Sequence, residues 1–321
     1  MSPEAAERPA SIVVFGSFNI DVAMRLDRIP RAGETVLGGD YILVPGGKGA
    51  NQACAAARAA EGSAAGVAMA GTVGADDWGD LALSHLSEAR VHLDAVAKGR
   101  APTGCALICV DAKGENAISV ASGANLETEA AQVPERMLGP DHWLVLQMEV
   151  RPEENWRLIE RAQRRGCKVA LNVAPAAPVP QDVLEAVEVL VFNEVEARTI
   201  AESAGLDVDD PIEVGRRLRD AYGLTAVATL GPAGAVAFAP GESWSVPALP
   251  VTPVDTTGAG DGFIGSLVVA LQAEIGLLEA LRRASVAAGI TCETRGAQTS
   301  FPWAEQIEAR MAELAPPRRY P

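Results

Sequence analysis

The sequence is poor in the residues that several classes of protein require. Only three of its 321 residues are histidines, and its five cysteines are an odd number scattered along the chain. They are Cys54, Cys105, Cys109, Cys167 and Cys292. Neither residue type has the spacing of a zinc site, and an odd, dispersed set of cysteines argues against a disulfide framework. We therefore expect free thiols and a cytoplasmic location.

Long apolar runs and basic runs are absent as well. The best apolar stretch, residues 263–273, ends at Glu274 and is shorter than the ~18 residues of a membrane span. Residues 1–10 lack the apolar core of a secretory signal. The chain has 27 Lys and Arg against 42 Asp and Glu, a net charge of −15, and no basic run longer than two arginines. These properties argue against membrane and nucleic-acid partners.

Short β-branched apolar runs alternate with longer amphipathic stretches through most of the chain. This alternation is typical of an α/β fold in which helices cover both faces of a mostly parallel sheet. We predict core strands at residues 11–16, 66–71, 143–147, 168–172, 187–192, 225–230 and 234–239. The predicted helices span residues 49–61, 78–90, 153–165, 194–204, 212–222, 260–273, 277–291 and 303–314. Because no segment resembles a linker, we expect one domain over residues 11–315 between flexible termini at 1–10 and 316–321.

Two segments interrupt this alternation. Residues 20–45 and 103–121 have the alternating or hairpin-like pattern of antiparallel strands, and each contains a turn signal. Within a series of strands and helices, they predict a small β-sheet that projects from the main domain. A projection of this kind often acts as a lid over a functional site.

The most informative segment runs from residue 254 to residue 263 and precedes an apolar helical stretch. Gly258, Ala259 and Gly260 let the backbone turn tightly, so that several N–H groups and the positive end of a helix face one anion. Asp261 follows at once, where a carboxylate would repel a phosphate that is only bound. Its presence indicates phosphoryl transfer, with Asp261 as the base that accepts the proton of the attacking hydroxyl. The alternative is an acid at a helix start beside a packed turn.

Polar residues also surround the end of the first predicted strand and the first predicted helix. Asn19 and Asp21 follow the strand at its carboxyl end, where open α/β sheets bind ligands, although singly each could be a turn residue. Residues 46–51 open the helix with two glycines, but no Ser or Thr follows Lys48, so the Walker pattern fails. Lys48 and Asn51 suit the hydroxyl groups of a sugar instead.

Three later segments contain further candidate polar residues. Asn193 and Glu196 follow a predicted strand and could instead cap a helix. Residues 229–234 join two apolar strands, either as an ordinary turn or as the rim of a nucleotide site. Residues 291–300 are rich in hydroxyl and carbonyl oxygens without dense charge, which suits a weakly held monovalent cation.

These segments occur in the order found in the ribokinase-like sugar kinases of the phosphofructokinase-B type, which the sequence resembles over residues 12–307. The matching motifs are residues 16–21, 46–52, 103–108, 114–116, 147–149, 193–196, 255–261 and 296–300. The resemblance implies a three-layer α/β/α fold with a β-sheet lid and ATP-dependent phosphorylation of a sugar. It also implies that Mg²⁺ accompanies ATP and that K⁺ activates. The members that it resembles most imply D-ribose as the sugar, its 5-hydroxyl as the acceptor, and a homodimer joined through the lid.

The resemblance also implies a role for individual residues. Asp261 would be the catalytic base, and the anion hole for the γ-phosphate would comprise Gly258, Ala259 and Gly260. The sugar would contact Asn19, Asp21, Gly47, Lys48, Asn51, Ala106, Ile118, Glu149 and Asp261. ATP would contact Asn193, Thr229, Leu230, Gly231, Pro232, Ala233, Gly234, Gly260 and Ser285. Glu196 would order the water around Mg²⁺, and the K⁺ site would comprise Asp255, Thr257, Thr291, Thr294, Gly296 and Ser300. Ser285 departs from the Asn or His that family members often carry near the adenine.

Other functions compete with the phosphorylation of D-ribose. The same chemistry could serve 2-deoxyribose, a ketohexose or a nucleoside, but an aromatic content of 4% leaves no stacking residue for a base near the motifs. A non-catalytic sugar or nucleotide sensor would be expected to lose Asp261 or the glycines before it. A nicotinamide oxidoreductase is excluded because no Gly-x-Gly-x-x-Gly follows the first strand.

Overall fold

The computed structural model describes residues 9–320, in which the apolar runs form strands and the amphipathic stretches form helices. The strands are β1 (Ala10–Phe15), β2 (Asn19–Arg25), β3 (Tyr41–Gly46), β4 (Gly66–Gly74), β5 (His92–Gly99), β6 (Gly104–Val110), β7 (Asn116–Ala121), β8 (Trp143–Leu146), β9 (Lys168–Asn172), β10 (Val189–Asn193), β11 (Thr225–Thr229), β12 (Ala235–Ala239), β13 (Glu242–Val246) and β14 (Arg318–Arg319). The α-helices are α1 (Lys48–Ala59), α2 (Asp77–Glu88), α3 (Pro152–Arg164), α4 (Gln181–Leu184), α5 (Glu194–Ser203), α6 (Pro211–Tyr222), α7 (Ala259–Gln272), α8 (Leu277–Thr291) and α9 (Ala304–Arg310).

Ten of these strands form one sheet, in the order β14-β13-β12-β11-β10-β9-β8-β1-β4-β5. The neighbours from β11 to β5 are parallel, whereas β12, β13 and β14 add antiparallel strands at one edge. The predicted α/β fold with a mostly parallel sheet is therefore confirmed. Helices are needed on both faces because parallel strands are joined by crossover connections.

Side chains of β1 show how the sheet builds two cores. Ile12 and Val14 belong to a buried cluster that includes residues of α1, α2, α7 and α8. Val13 and Phe15 point to the other face, where the cluster includes residues of α3, α5 and α6. All four are fully buried, and such side chains contribute about 1.5–3 kcal/mol each when removed from water. The result is a three-layer arrangement of helices, sheet and helices.

The edges of the large sheet differ from the sequence-based prediction. The predictions did not include β5, because Asp94 and Lys98 interrupt its apolar pattern. The strand predicted at residues 234–239 is antiparallel to β11 rather than part of the parallel series. Residues 318–319, which we expected in a flexible terminus, pair with β13, and Tyr320 N–H donates to Ser243 O at 2.8 Å. Residues 1–8 and 321 of the predicted flexible termini lie outside the described residues.

The two segments predicted as a projecting lid form a separate four-stranded sheet in the order β3-β2-β6-β7. In its register, Asp21 lies beside Ala106, and Ile108 lies beside Ile118. Because side chains alternate between the two faces of a sheet, Asp21, Ala106 and Ile118 share one face. Leu107 lies on the opposite face.

No helix within residues 9–320 combines the length and the apolar character that crossing a bilayer requires.

Candidate active site

The predicted site residues gather where the parallel strands end. Asn19 and Asp21 follow β1, and Glu149 lies three residues beyond β8. Asn193 ends β10 and pairs in register with Thr229, the last residue of β11. Since the carboxyl ends of parallel strands meet at one edge of the sheet, residues far apart in sequence share one cleft.

The glycine loop before α1 packs directly on the chain that follows β1. Gly47 has φ of 90°, and a Cβ atom there would lie 2.7 Å from Asn19 N, so no other residue fits without strain. The side chain of Glu149 bonds to both of these segments. Its Oε2 accepts from the Ser17 hydroxyl at 2.5 Å and from the Lys48 backbone N–H at 2.9 Å.

The start of α7 has the features of an anion site. Gly258 caps the helix in the left-handed region, with φ of 79°, and a Cβ atom there would lie 2.9 Å from the Cβ of Ala297. Among residues 9–320, no acceptor receives the backbone N–H groups of Gly260 and Asp261. A Cβ atom at Gly260 would meet nothing within 4 Å. Two free N–H groups at the positive end of a helix, beside open space, suit a phosphoryl oxygen.

Asp261 is buried at the floor of this site, with 6% of its surface exposed. Its two carboxylate oxygens accept from the side-chain amides of Asn51 and Gln52, each at 3.0 Å. Burial raises the pKa of Asp261, and this effect exceeds the lowering by Lys48 and by the two amides. A carboxylate with a raised pKa is a stronger proton acceptor than an exposed one.

One cation faces an excess of carboxylates in the cleft. Burial would lower the pKa of Lys48, but the acids around it outweigh burial and raise the pKa. These acids are Asp261, Glu149, Glu196 and Asp21. Four acids thus act on a single cation in this cleft.

Asp21 differs from the other acids of the cleft in its hydrogen bonding. Within the described part of the chain, no hydrogen bond or ion pair reaches its carboxylate, and a Cβ atom at Gly46 would lie 2.6 Å from both of its oxygens. Burial, followed by repulsion from Glu149 and Asp261, raises the pKa of Asp21 to about 7. Asn19, by contrast, is held in place, since its Oδ1 accepts from Asn125 Nδ2 at 2.8 Å.

The predicted nucleotide residues lie along the neighbouring strand ends. The side chains of Asn193 and Glu196 form a capping box at the start of α5, so the capping alternative does occur. Burial raises the pKa of Glu196. Residues 229–234 form a turn that contains a short 3₁₀ helix, Gly231–Ala233. The Ser285 hydroxyl in α8 is buried and donates to Pro247 O at 2.5 Å, so its proton is already used in a hydrogen bond within the protein.

The predicted K⁺ residues lie on adjoining loops. Asp255 Oδ1 accepts from the backbone N–H and hydroxyl of Thr257, and Oδ2 accepts from the Gly296 N–H at 3.0 Å. Burial opposes ionisation of Asp255, but these donors lower its pKa overall. Thr291 and Ser300 are buried, with their hydroxyls bonded to carbonyls one turn or less away. Thr294 lies in the same stretch of chain. No group of three or more His, Cys, Asp or Glu within residues 9–320 could hold a metal ion.

The lid residues differ in their surroundings. Ala106 is buried, whereas the side chain of Ile118 is 55% exposed although it shares a sheet face with Asp21. On the other face, Leu107 is 50% exposed and lies beside Val22 in the register. The five cysteines are all free, as expected from their spacing.

Several residues that support the site have no role in the sequence-based prediction. They are Ser17, Gln52, Asn125, Gln147, Asn172 and Gln298. The motifs that carry the family resemblance contain Ser17, Gln52, Gln147 and Gln298, so the sequence does mark these four positions. Their roles depend on buried contacts between distant segments, which spacing does not reveal. Asn125 and Asn172 lie outside every motif.

Comparison with known proteins identifies the family of this chain. Residues 9–304 match the family model described as pfkB family carbohydrate kinase. The ribokinase of Schizosaccharomyces pombe is 36% identical over 307 residues, which cover 91% of this chain and 95% of that protein. The crystal structure of the Thermotoga maritima ribokinase is similar with a TM-score of 0.86 and 30% identity, covering 94% of this chain and 99% of that one. The Arabidopsis thaliana ribokinase, solved with ribose and ATP, has a TM-score of 0.82 and 27% identity over 94% and 98% of the two chains. The chain therefore belongs to the pfkB family of carbohydrate kinases, which are phosphotransferases.

Proposed function

We propose that this kinase transfers the γ-phosphoryl group of ATP to the 5-hydroxyl of D-ribose, giving D-ribose 5-phosphate and ADP. The main support is the position of Asp261, a buried carboxylate whose own N–H and that of Gly260 lack acceptors within the described chain. A base and an anion site thus adjoin each other at one helix start. Relatives named as ribokinases, one of them bound to ribose and ATP, support the choice of sugar.

In the proposed reaction, Asp261 accepts the proton of the 5-hydroxyl as its oxygen bonds to the γ-phosphorus. The bond from that phosphorus to the bridging oxygen breaks, and ADP leaves with the electron pair. The free N–H groups at the start of α7, with Gly258 and Ala259 shaping the turn, receive the negative charge that develops on the phosphoryl oxygens. The loop 229–234, Asn193 and Ser285 are the proposed neighbours of ATP.

The sugar is proposed to lie between the glycine loop and the lid. Asp21 has both carboxylate oxygens available for adjacent hydroxyls, and Glu149 and Lys48 flank the same cleft. Asn19, Gly47 and Asn51 are the remaining proposed polar contacts. Ala106 and Ile118 share the lid face of Asp21, so they would cover the ring and exclude water, which otherwise competes as the acceptor.

Two cations complete the proposal, and the donors present fit both. Mg²⁺ would neutralise the phosphates of ATP, with its water shell ordered by the buried Glu196 carboxylate. K⁺ would lie near the loops of Asp255 and Gly296, where one ionised carboxylate and several neutral oxygens suit a large monovalent ion. The other proposed K⁺ residues are Thr257, Thr291, Thr294 and Ser300.

We also propose a homodimer joined through the lid and a cytoplasmic location. The lid face that carries Leu107 also carries Met24 and Cys109, which are partly exposed, whereas Val22 on the same face is buried in a core cluster. Leu107 is half-exposed in the single chain, and an apolar surface of this kind suits a partner lid. The free cysteines support a reducing compartment.

An acceptor screen tests the choice of sugar. ADP release is followed with D-ribose, 2-deoxyribose, a ketohexose and a nucleoside at matched concentrations. We expect the highest kcat/KM with D-ribose, and a rate with D-ribose far below that with another acceptor would refute this choice.

The variant Asp261→Asn tests the proposed base, because asparagine keeps the shape of the side chain and cannot take up the proton. We expect turnover to fall about 10²–10⁴-fold, the usual contribution of a general base. Sugar binding measured by calorimetry should be largely retained. Turnover close to that of the unchanged protein would rule out Asp261 as the base.

A further inference from the structure

Two chains of side-chain amides end on the carboxylate of Asp261. In one, Gln147 Nε2 donates to Gln52 Oε1 at 2.8 Å, and Gln52 Nε2 donates to Asp261 Oδ1 at 3.0 Å. In the other, Gln298 Nε2 donates to Asn51 Oδ1 at 3.2 Å, and Asn51 Nδ2 donates to Asp261 Oδ2 at 3.0 Å. Each carboxylate oxygen therefore has its own amide donor, and each donor has its own glutamine behind it.

The outer glutamines contribute to which end of each inner amide faces the carboxylate. An amide turned by 180° occupies almost the same space but presents its carbonyl oxygen where its N–H₂ was. Such a turn at Asn51 or Gln52 would place an acceptor against Asp261. Because Gln147 and Gln298 donate to the carbonyl ends of the inner amides, they favour the orientation that gives N–H groups to Asp261. Gln52 Nε2 also donates to Asn172 Oδ1 at 3.2 Å, which favours the same orientation.

The amides are too deeply buried to be accidental neighbours. Gln52, Gln147 and Gln298 are fully buried, and Asn51 is 6% exposed. Burying amides in place of apolar side chains costs free energy, and within residues 9–320 the carbonyl oxygens of Gln147 and Gln298 are buried without a hydrogen-bond partner, so their bonds to the inner amides are the side-chain bonds that these two glutamines make. The four come from three parts of the fold, namely α1, the segment after β8 and the loop after α8. Packing alone would be served as well by leucine or methionine.

We propose that Gln52 is a positioning residue of this kinase and that Gln147 and Gln298 orient the two inner amides, so that the Asp261 carboxylate is held with one donor on each oxygen. A carboxylate oxygen has two acceptor positions, so each oxygen keeps one for the hydroxyl of the sugar. The inference rests on the proposed role of Asp261 as the base. Asn51 differs from the other three because it is also a proposed sugar contact.

Removing one donor should make the carboxylate harder to ionise. Among the charged groups around Asp261, Lys48 favours the ionised form. The groups that oppose it are Glu149, Asp21 and Glu196. Since three acids and burial already disfavour the charge, the loss of an amide donor raises the pKa of Asp261 further. One hydrogen bond to a charged group corresponds to a change in pKa of about one unit.

The experiment compares Gln52→Met and Gln298→Met with Gln132→Met, a control at a partly exposed glutamine. Gln132 bonds to Gly71 O and Thr72 Oγ1 and has no connection to Asp261. For each variant, kcat and the KM for D-ribose are measured from pH 5 to pH 9, together with a thermal melt. In Gln52→Met we expect the acidic limb of kcat to move up by about one pH unit. Activity should recover towards high pH. KM should change by less than about twofold, because the substitution removes no contact to the bound sugar. Gln298→Met should shift the limb in the same direction by less.

The control variant should lose thermal stability without moving the pH profile. An unmoved limb in both Gln52→Met and Gln298→Met, with kcat reduced equally at every pH or the loss confined to KM, would overturn the inference. If Gln52→Met gives no cooperative melt, Gln298→Met alone decides, because Gln298 bonds to Asn51 and leaves the direct donors of Asp261 in place. The variant Asp261→Asn separates the two proposals. Turnover in it close to that of the unchanged protein would refute the base itself, whereas a strongly impaired Asp261→Asn with unmoved glutamine profiles would refute only the positioning role.

Discussion

Replacing Asp21 by asparagine should make the folded protein more stable while it weakens sugar binding. The pKa of this carboxyl is about 7 in the folded protein, against 3.8 when unperturbed. Below about pH 4 the Asp21 side chain is protonated in both the folded and the unfolded protein, so its ionisation does not affect the free energy of unfolding. As the pH rises towards 7, Asp21 ionises in the unfolded protein but not in the folded one. The resulting loss of folding free energy grows until it becomes constant above pH 7.

The magnitude follows from the difference in pKa. A pKa difference of about three corresponds to about 4 kcal/mol in the free energy of unfolding, before any reduction by solvent screening. Asp21 lies at a cleft that is partly open to water, so screening reduces the effect, and we expect a gain of about 2 kcal/mol in the free energy of unfolding. The same substitution removes a charged acceptor for sugar hydroxyls, which should weaken D-ribose binding about ten- to hundredfold.

Denaturant unfolding at pH 5 and pH 8 measures the stability, and calorimetry with D-ribose measures the binding. The gain in Asp21→Asn should be present at pH 8 and less than half as large at pH 5. Asp27, exposed just beyond β2, supplies the matched control, because Asp27→Asn removes a carboxylate that is not buried. A gain that is absent at pH 8, independent of pH, or equal in the control would refute the account of Asp21 as a strained acid kept for binding.

Two further predictions concern the cation site and the lid. Activity should be higher in KCl than in NaCl at equal ionic strength, because the oxygen donors around Asp255 and Gly296 suit the larger ion; equal rates in the two salts would remove that site from the proposal. Leu107→Glu, which places a charge on the half-exposed lid face opposite Asp21, should convert a dimer into monomers by light scattering. A monomer in the unchanged protein would refute the proposed dimer.

The sequence was sufficient for much of the fold because local patterns report local structure. Continuous apolar runs at β1, β8 and β9 predict buried parallel strands, and the structure has them. The small sheet was predictable from the change of period in two segments. The edge strands β5 and β13 were missed because they are partly exposed and carry polar residues. Their strand character comes from pairing with a neighbour, which is a tertiary property.

The amino-acid sequence by itself determined which chemical groups are available and in which local geometry. Gly47 and Gly258 permit the positive φ that the chain adopts there, and the helix start at residue 259 presents N–H groups next to an acid. Only the tertiary structure decided how these groups meet. Asn51 and Gln52 bond to Asp261 across 210 and 209 positions of sequence, and the direction of their amides depends on two further glutamines. Such contacts arise from the packing of α1 against α7, and no local periodicity encodes the distance between two side chains on different helices.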